Sequence, residues 1–212
     1  MSGSRKKGER SSTRDAYLAQ IVFERRCGKS LEEERGRFWD IERGNKLESI
    51  ARSEYEMRNG VIVDTVGFVK HPTIPWAGCS PDGRTNKRLV QLKAPRRHVH
   101  LKWTLLGVVP PEHRDQMLFE LACCPEYEGS DFFSYVDDME CDPELQVFQV
   151  QLVRDVPRIK EIEAAVAKFN AEVEETLAKL KAKKMALQEQ LEASLAMIGD
   201  YPSPDSPETS LK

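Results

Sequence analysis

At 212 residues, with 40% hydrophobic and 32% charged side chains, the chain is long enough to bury one good core. It has no apolar run near the ~20 residues that cross a bilayer, and its basic, Ser-rich start lacks the apolar stretch of a signal peptide, so a soluble cytoplasmic protein is expected. The five cysteines (Cys27, Cys79, Cys123, Cys124, Cys141) form an odd set without C-x-x-C spacing, which argues against a disulfide framework or a zinc site and for reduced thiols.

The net charge of -3 speaks against a polyanion binder only until the charges are located. Between residues 84 and 111 lie Arg84, Lys87, Arg88, Lys93, Arg96, Arg97 and Lys102 with no acid, His98 and His100 being interleaved. Residues 112 to 151 hold eleven acids against Arg114 alone. A basic face toward phosphates and an acidic face elsewhere would steer a polyanion to one side; two runs that neutralise each other in space are the alternative.

In chain order, Met1-Ser2-Gly3-Ser4 reads as a vector remnant, and residues 5 to 14 are basic and hydroxyl-rich. A helix is predicted from about Asp15 to Arg26, with Tyr17, Leu18, Ile21 and Val22 at helical spacing. A second runs from about Leu31 through Met57, with a break near Gly44 and a buried stripe of Ile41, Leu47, Ile50, Ala51 and Tyr55. From Val61 to Val69 the period changes to two, with Ile62, Val66 and Phe68 on one face, and a strand is expected. Thr73 to Cys79 and Arg88 to Ala94 read as two more strands separated by the turn signals Ser80-Pro81-Asp82-Gly83 and Asn86. Residues 112 to 124 are helical, with Met117, Leu118, Leu121 and Ala122 as the apolar face. Phe132 to Val136 and Leu145 to Val153 return to strand alternation.

A long helix begins near Pro157, with Ile159, Ile162, Val166, Phe169, Val173, Leu177 and Leu180 close to a heptad seam. Lys181 to Lys184 interrupt that seam before Leu187, Leu191, Leu195 and Ile198 resume it. The organisation read from this is a single domain over 5–180, the distal helix over 181–198 and a disordered tail over 199–212. The fold class is α/β (α+β): a central mixed β-sheet flanked by helices, with a long C-terminal helix.

Chemistry concentrates at Asp82, which sits in a tight turn, with Gln91 and Lys93 nine and eleven residues later on a strand. Positions 91 and 93 share one face, so both project toward Asp82 if the connection folds back, while Leu92 enters the core and still offers its backbone carbonyl. Phosphodiester hydrolysis needs a hard cation on oxygen ligands and a positive group beside the attacking water. Asp82 and position 91 would hold the cation, and Lys93 would stand by the nucleophile. A Ser-Pro-Asp-Gly turn joining two strands, with Lys93 a surface cation, is the plain structural alternative.

Cys79-Ser80-Pro81-Asp82-Gly83 followed by Leu89-Val90-Gln91-Leu92-Lys93-Ala94-Pro95 resembles the Asp…Glu-x-Lys core of restriction-endonuclease-like PD-(D/E)XK nucleases. Within them it resembles the lambda exonuclease and YqaJ-like viral recombinase branch. Arg43-Gly44-Asn45-Lys46-Leu47-Glu48-Ser49-Ile50-Ala51-Arg52 is similar to that branch's upstream helix, and Gln116, in Asp115-Gln116-Met117, to its glutamine after the lysine strand. The resemblance covers roughly residues 36 to 124. It implies a restriction-endonuclease-like core with Glu48, Asp82, position 91 and the Leu92 carbonyl as metal-site groups, Lys93 as the catalytic lysine and Gln116 as a water or lysine orienter. Without it, Glu48 is an exposed helix acid pairing with Arg52.

The resemblance further implies a Mg2+-dependent 5′→3′ exonuclease on double-stranded DNA, with Mn2+ as a substitute, working in a bacterial host cytoplasm. It would leave 3′ single strands for recombination, act as a homotrimeric ring and hand its product to a single-strand annealing protein. The family's 5′-phosphate is held by N-terminal basic and hydroxyl residues; here Lys6, Lys7, Arg10, Ser11, Ser12 and Thr13 precede a helix. Arg96, Arg97, His98, Lys102 and Trp103 are candidates for gripping the duplex, Trp103 equally for the core.

One departure matters. Gln91 stands where the family pattern has glutamate, which removes a charge and predicts weaker metal affinity and water activation. Gln91 is either native to a slower site or an engineered replacement, and the vector-like start favours the latter. An endonuclease of the same core and a silent DNA-binding recombination factor are the competing functions.

Overall fold

A computed structural model describes residues 12–29, 38–137 and 142–199, with backbone alone for 38–46 and 197–199. The chain divides into two compact units, described separately below.

The first unit joins α1 (Ser12–Cys27) to the part of α5 (Val156–Gly199) from Lys168 onward. Val22 and Val173 are its buried aliphatics, Tyr17 stacks on Phe169 at 5.6 Å between ring centroids, and Arg14 lies over the same ring. Arg14 pairs with Glu172 at 2.9 Å, and Arg25 reaches Glu174 at 2.5 Å and Asn170 at 2.7 Å. The expected seam holds through Leu177, but Leu180, Leu187, Leu191 and Leu195 are exposed. The expected vector remnant, the hydroxyl-rich start to Ser11, Cys141 and the tail from residue 200 lie outside the described residues.

The second unit, residues 33 to 167, is built on a four-stranded mixed sheet in the order β3 (Gly83–Arg84), β4 (Leu89–Lys93), β5 (Gly129–Tyr135), β6 (Val147–Val153). β3 and β4 are antiparallel, β4 and β5 parallel, β5 and β6 antiparallel. A parallel pair needs a long crossover, which α3 (Arg97–Leu106) and α4 (Pro111–Cys123) supply. A two-stranded ribbon of β1 (Val69–Lys70) and β2 (Gly78–Cys79) stands beside it.

Strand alternation assigns each face of β4 and β5 to a different helix. Val90 and Leu92 of β4 and Phe133 of β5 pack with Ala51 and Tyr55 of α2 (Phe38–Asn59). Leu89 and Phe132 take the opposite face and pack with Met117, Leu118 and Leu121 of α4, together with Trp103 and Ile159. Gln91 and Lys93 share Leu89's parity and therefore belong to the face that α4 covers.

Four sequence expectations change. α2 runs unbroken through Gly44, since one glycine costs about 1 kcal/mol in a helix and packing elsewhere outweighs it; Ile50, expected in its buried stripe, is exposed. The strand read from Val61 shrinks to β1 plus a bridge between Asp64 and Arg84; Ile62 and Phe68 face out and Val63 is the buried member. The strand read over Thr73 to Cys79 reduces to β2. α3 was not anticipated at all.

Two polar clusters, centred on the buried Asp131 and His100, fix the second unit. Arg88, counted above among phosphate-facing cations, is an internal strut: its Nε donates to Asp131 and its Nη2 to the carbonyls of Ser130 (3.2 Å) and Leu152 (3.0 Å). Asp131 also accepts the Tyr55 hydroxyl at 2.9 Å, and burial with this carboxylate pushes the phenol upward. Arg88→Ala leaves the buried Asp131 carboxylate without its cation and is expected to cost about 3–5 kcal/mol in urea unfolding, part of which Asp131→Asn restores in the double variant.

His100 is fully buried between the Ser134 hydroxyl (2.8 Å from Nδ1) and the Leu145 carbonyl (2.9 Å from Nε2). The carbonyl calls for a proton on Nε2, and burial holds the imidazole below the usual histidine range, partly opposed by that carbonyl. The unfolded chain then binds the extra proton first. Stability contributed by neutral His100 is full above about pH 6.5 and falls as pH drops through that value toward the folded pKa. Unfolding at pH 7.5 and 5.5 checks this, with His100→Gln expected to show the smaller difference.

Candidate active site

Pro81-Asp82-Gly83 leads into β3, where Gly83 is required by space: an added Cβ would collide with the Val63 side chain. Close passage of β3 brings Asp82 over the edge of β4. There one carboxylate oxygen of Asp82, Oδ2, accepts the Gln91 amide, the Leu92 backbone N–H at 2.9 Å and the Lys93 ammonium at 3.5 Å. Arg52, one helical turn after Glu48 on α2, donates to the Asp82 backbone carbonyl at 2.7 Å. Asp82 is thus held from both sides, its main chain by α2 and its side chain by β4.

Gln91 is fully buried, and its Oε1 has no hydrogen-bond partner. The amide N–H of a glutamine occupies the place beside Asp82 where a glutamate would instead set two anions together. A site with glutamate there needs a cation between the carboxylates; with glutamine the neutral amide satisfies Asp82 by itself. Among the described residues no cluster of three or more His, Cys, Asp or Glu is arranged to hold a metal. The oxygen donors present, Asp82 and the orphaned Gln91 Oε1, nevertheless suit a hard divalent cation once the amide turns its oxygen inward.

Among the described contacts Glu48 reaches Asp82 through Arg52, with which it pairs at 3.8 Å, so the i, i+4 pairing is present. Gln116 points along α4 and donates to Glu120 at 2.9 Å. Arg96, Arg97, His98 and Lys102 are exposed on or at the start of α3. Trp103 is not available to a nucleotide: it is buried edge-on to Phe132 and His113 and donates to Glu112 at 3.1 Å. Ser12 and Thr13 are exposed at the start of α1 in the other unit; Lys6, Lys7, Arg10 and Ser11 lie outside the described residues.

Three site residues were missed. Helical spacing presents Arg52 only as a partner of Glu48. His113, in the first turn of α4, is held below the usual histidine range by burial and by Lys93. Glu120 is buried and pushed up to about 7 by burial, with Asp82 raising it further and Gln116 and Lys93 opposing. The Cys79, Cys123 and Cys124 thiols interact with one another close by, Cys79 being pushed up to about 12 chiefly by Cys123, and all are free.

A mixed sheet with an acid at one strand's entry, a polar-x-lysine strand beside it and a helix over that face defines a restriction-endonuclease-like nuclease fold. Comparison with known proteins agrees. The YqaJ-like viral recombinase domain matches residues 6–127, and the chain belongs to that family. The alkaline exonuclease of Laribacter hongkongensis is 33% identical, with a TM-score of 0.75 over 84% of this chain and 89% of that one. Its complex with dAMP gives 34%, 0.76, 84% and 88%. A phage-related exonuclease from Haemophilus somnus 129PT shares the fold at 11% identity, with a TM-score of 0.56 over 80% of this chain and 85% of that one. Comparison with curated proteins gave no match. No described helix is long and apolar enough to cross a membrane.

Proposed function

We infer that this chain is a Mg2+-dependent exonuclease that degrades one strand of duplex DNA from a 5′-phosphorylated end, leaving a 3′ single strand for recombination by annealing. The observation that carries this reading is the convergence of Gln91, the Leu92 N–H and Lys93 on one oxygen of Asp82. Family membership and the dAMP complex of the Laribacter enzyme support it, since a deoxynucleoside monophosphate is what stepwise hydrolysis releases.

Asp82, the Gln91 oxygen and the Leu92 carbonyl would hold the cation, with Glu48 behind Arg52 available to a second one. A divalent cation, Mg2+ or Mn2+, supplies Lewis acidity toward the scissile phosphate and lowers the pKa of the attacking water. Lys93 holds the water and meets the negative charge that develops as its oxygen bonds to phosphorus and the P–O3′ bond breaks. Gln116, anchored on Glu120, orients the water or the lysine. Gln91 in place of glutamate lowers the negative charge facing the cation and impairs this chain's cutting.

The exposed cations Arg96, Arg97 and Lys102 are assigned to the DNA backbone, and the residue 10 to 13 segment to the 5′-phosphate. A homotrimeric ring around the duplex, a partner annealing protein and a cytoplasmic setting complete the reading. Residues 5–180 form its nuclease domain. Linear and covalently closed duplexes of the same sequence separate it from an endonuclease: loss of the linear form alone is expected, and cleavage of closed circles contradicts it.

A further inference from the structure

α4 carries one acid where its pattern calls for an apolar side chain. Glu120 is flanked by Leu121 and lies one turn from Met117 and two residues from Leu118, all fully buried, and is itself 2% exposed. One of its oxygens accepts the Gln116 amide; the other, Oε2, is buried with no partner. Orphaned buried oxygens are rare in folded proteins, and an ionised carboxyl so placed costs several kcal/mol. Leucine or methionine would fill the same volume without that penalty.

A second orphan lies on the wall opposite. Gln91 Oε1 is also buried and unpartnered, on the β4 face that α4 covers. Gln91 is bonded to Asp82, and Glu120 feels both Asp82 and Lys93. The two unpaired oxygens therefore belong to residues that both interact with Asp82, Gln91 from the strand by a hydrogen bond and Glu120 from the helix through its charge.

Resting on the metal-nuclease reading above, we propose that Glu120 is the second carboxylate of the divalent-cation site, supplying from α4 the anionic oxygen that position 91 lacks. Asp82 with a neutral amide presents a single negative charge to a doubly charged ion. Asp82 with Glu120 presents two, which matches the preference of Mg2+ and Mn2+ for anionic oxygen. The same cation removes the penalty on Glu120, because Oε2 gains a partner and the ionised form gains a positive neighbour. Gln116 then holds the other oxygen and sets the carboxyl's direction, which is how outer-shell partners orient metal ligands.

Calorimetric titration of Mn2+ into the full chain without DNA, at pH 8, tests this on the unsubstituted protein, Glu120→Gln, Asp82→Asn, Gln91→Glu and the double variant Gln91→Glu/Glu120→Gln. Glu120→Gln should weaken Mn2+ binding by about tenfold or more, as Asp82→Asn does, while its melting temperature in EDTA is unchanged or raised. The double variant should recover affinity, since a carboxylate returns at position 91. Unchanged Mn2+ binding by Glu120→Gln alongside loss in Asp82→Asn overturns the proposal and leaves the metal reading intact. Loss that the double variant does not recover also overturns it, assigning Glu120 to packing. Absence of Mn2+ binding in both the unsubstituted chain and Gln91→Glu sinks the metal reading and this proposal together.

Discussion

Gln91→Glu is expected to raise Mg2+-dependent degradation of linear duplex DNA by about 100-fold or more, a barrier change of about 2.7 kcal/mol. The reason is electrostatic. Gln91 is fully buried and donates its amide to Asp82, so the strongest anion in the site is already neutralised by a dipole. Glutamate reverses the sign of that contact. Two carboxylates, one at the fully buried position 91 and one on the partly buried Asp82, then face one another, and the arrangement is stable only with a cation between them. The variant should accordingly be less stable than the parent in EDTA and gain more in melting temperature when Mg2+ is added. Equal rates for the two proteins would mean that residue 91 is not part of the hydrolytic site.

The same residue separates the two origins considered for Gln91. As an engineered change it leaves a site otherwise tuned for glutamate, and the reversal restores full activity. As the native residue it belongs with a compensating acid, for which Glu120 is the structural candidate, and the gain on reversal is smaller. The Mn2+ titrations and the cleavage rates therefore bear on one another.

Much of the centre was legible because strand geometry is simple. The alternation rule alone put Gln91 and Lys93 on one side of β4 and Leu92 on the other, and the turn signal at Pro81-Asp82-Gly83 returned Asp82 to them. The apolar faces of α4 and of the first turns of α5 likewise emerged from their spacing, with Met117, Leu118, Leu121 and Ile159 buried as read.

What escaped was long-range or masked by chemistry. α3 buries only His100 and Trp103, three residues apart, and a histidine in that stripe hides the period. Arg88 lay inside a run of cations, and counting charge along the chain gives no sight of Asp131, 43 positions away. Val61 to Val69 has the β-branched content of a strand, but Ile62 and Phe68 face out, so composition without a pairing partner misled. Glu120 reads as a solvated helix acid until α4 is laid over β4, when its place on the covered side becomes apparent.

Lys93 beside Asp82 is the proposed hydrolytic centre, since Lys93 is the one cation bonded to the Asp82 carboxylate among the described contacts. It stands 3.5 Å from Oδ2, only a quarter exposed, and lies close enough to lower the pKa of His113 and oppose the rise at Glu120. A charge so confined is worth far more to a developing oxyanion than one in bulk water. Lys93→Met keeps an unbranched stem of similar length and removes only the ammonium. In the Gln91→Glu background, nucleotide release from a 5′-phosphorylated linear duplex should fall by about 10³-fold with Lys93→Met while Mn2+ affinity and melting temperature hold. Release within a few-fold of the Gln91→Glu parent would contradict the account and move the chemistry away from Asp82 and Lys93.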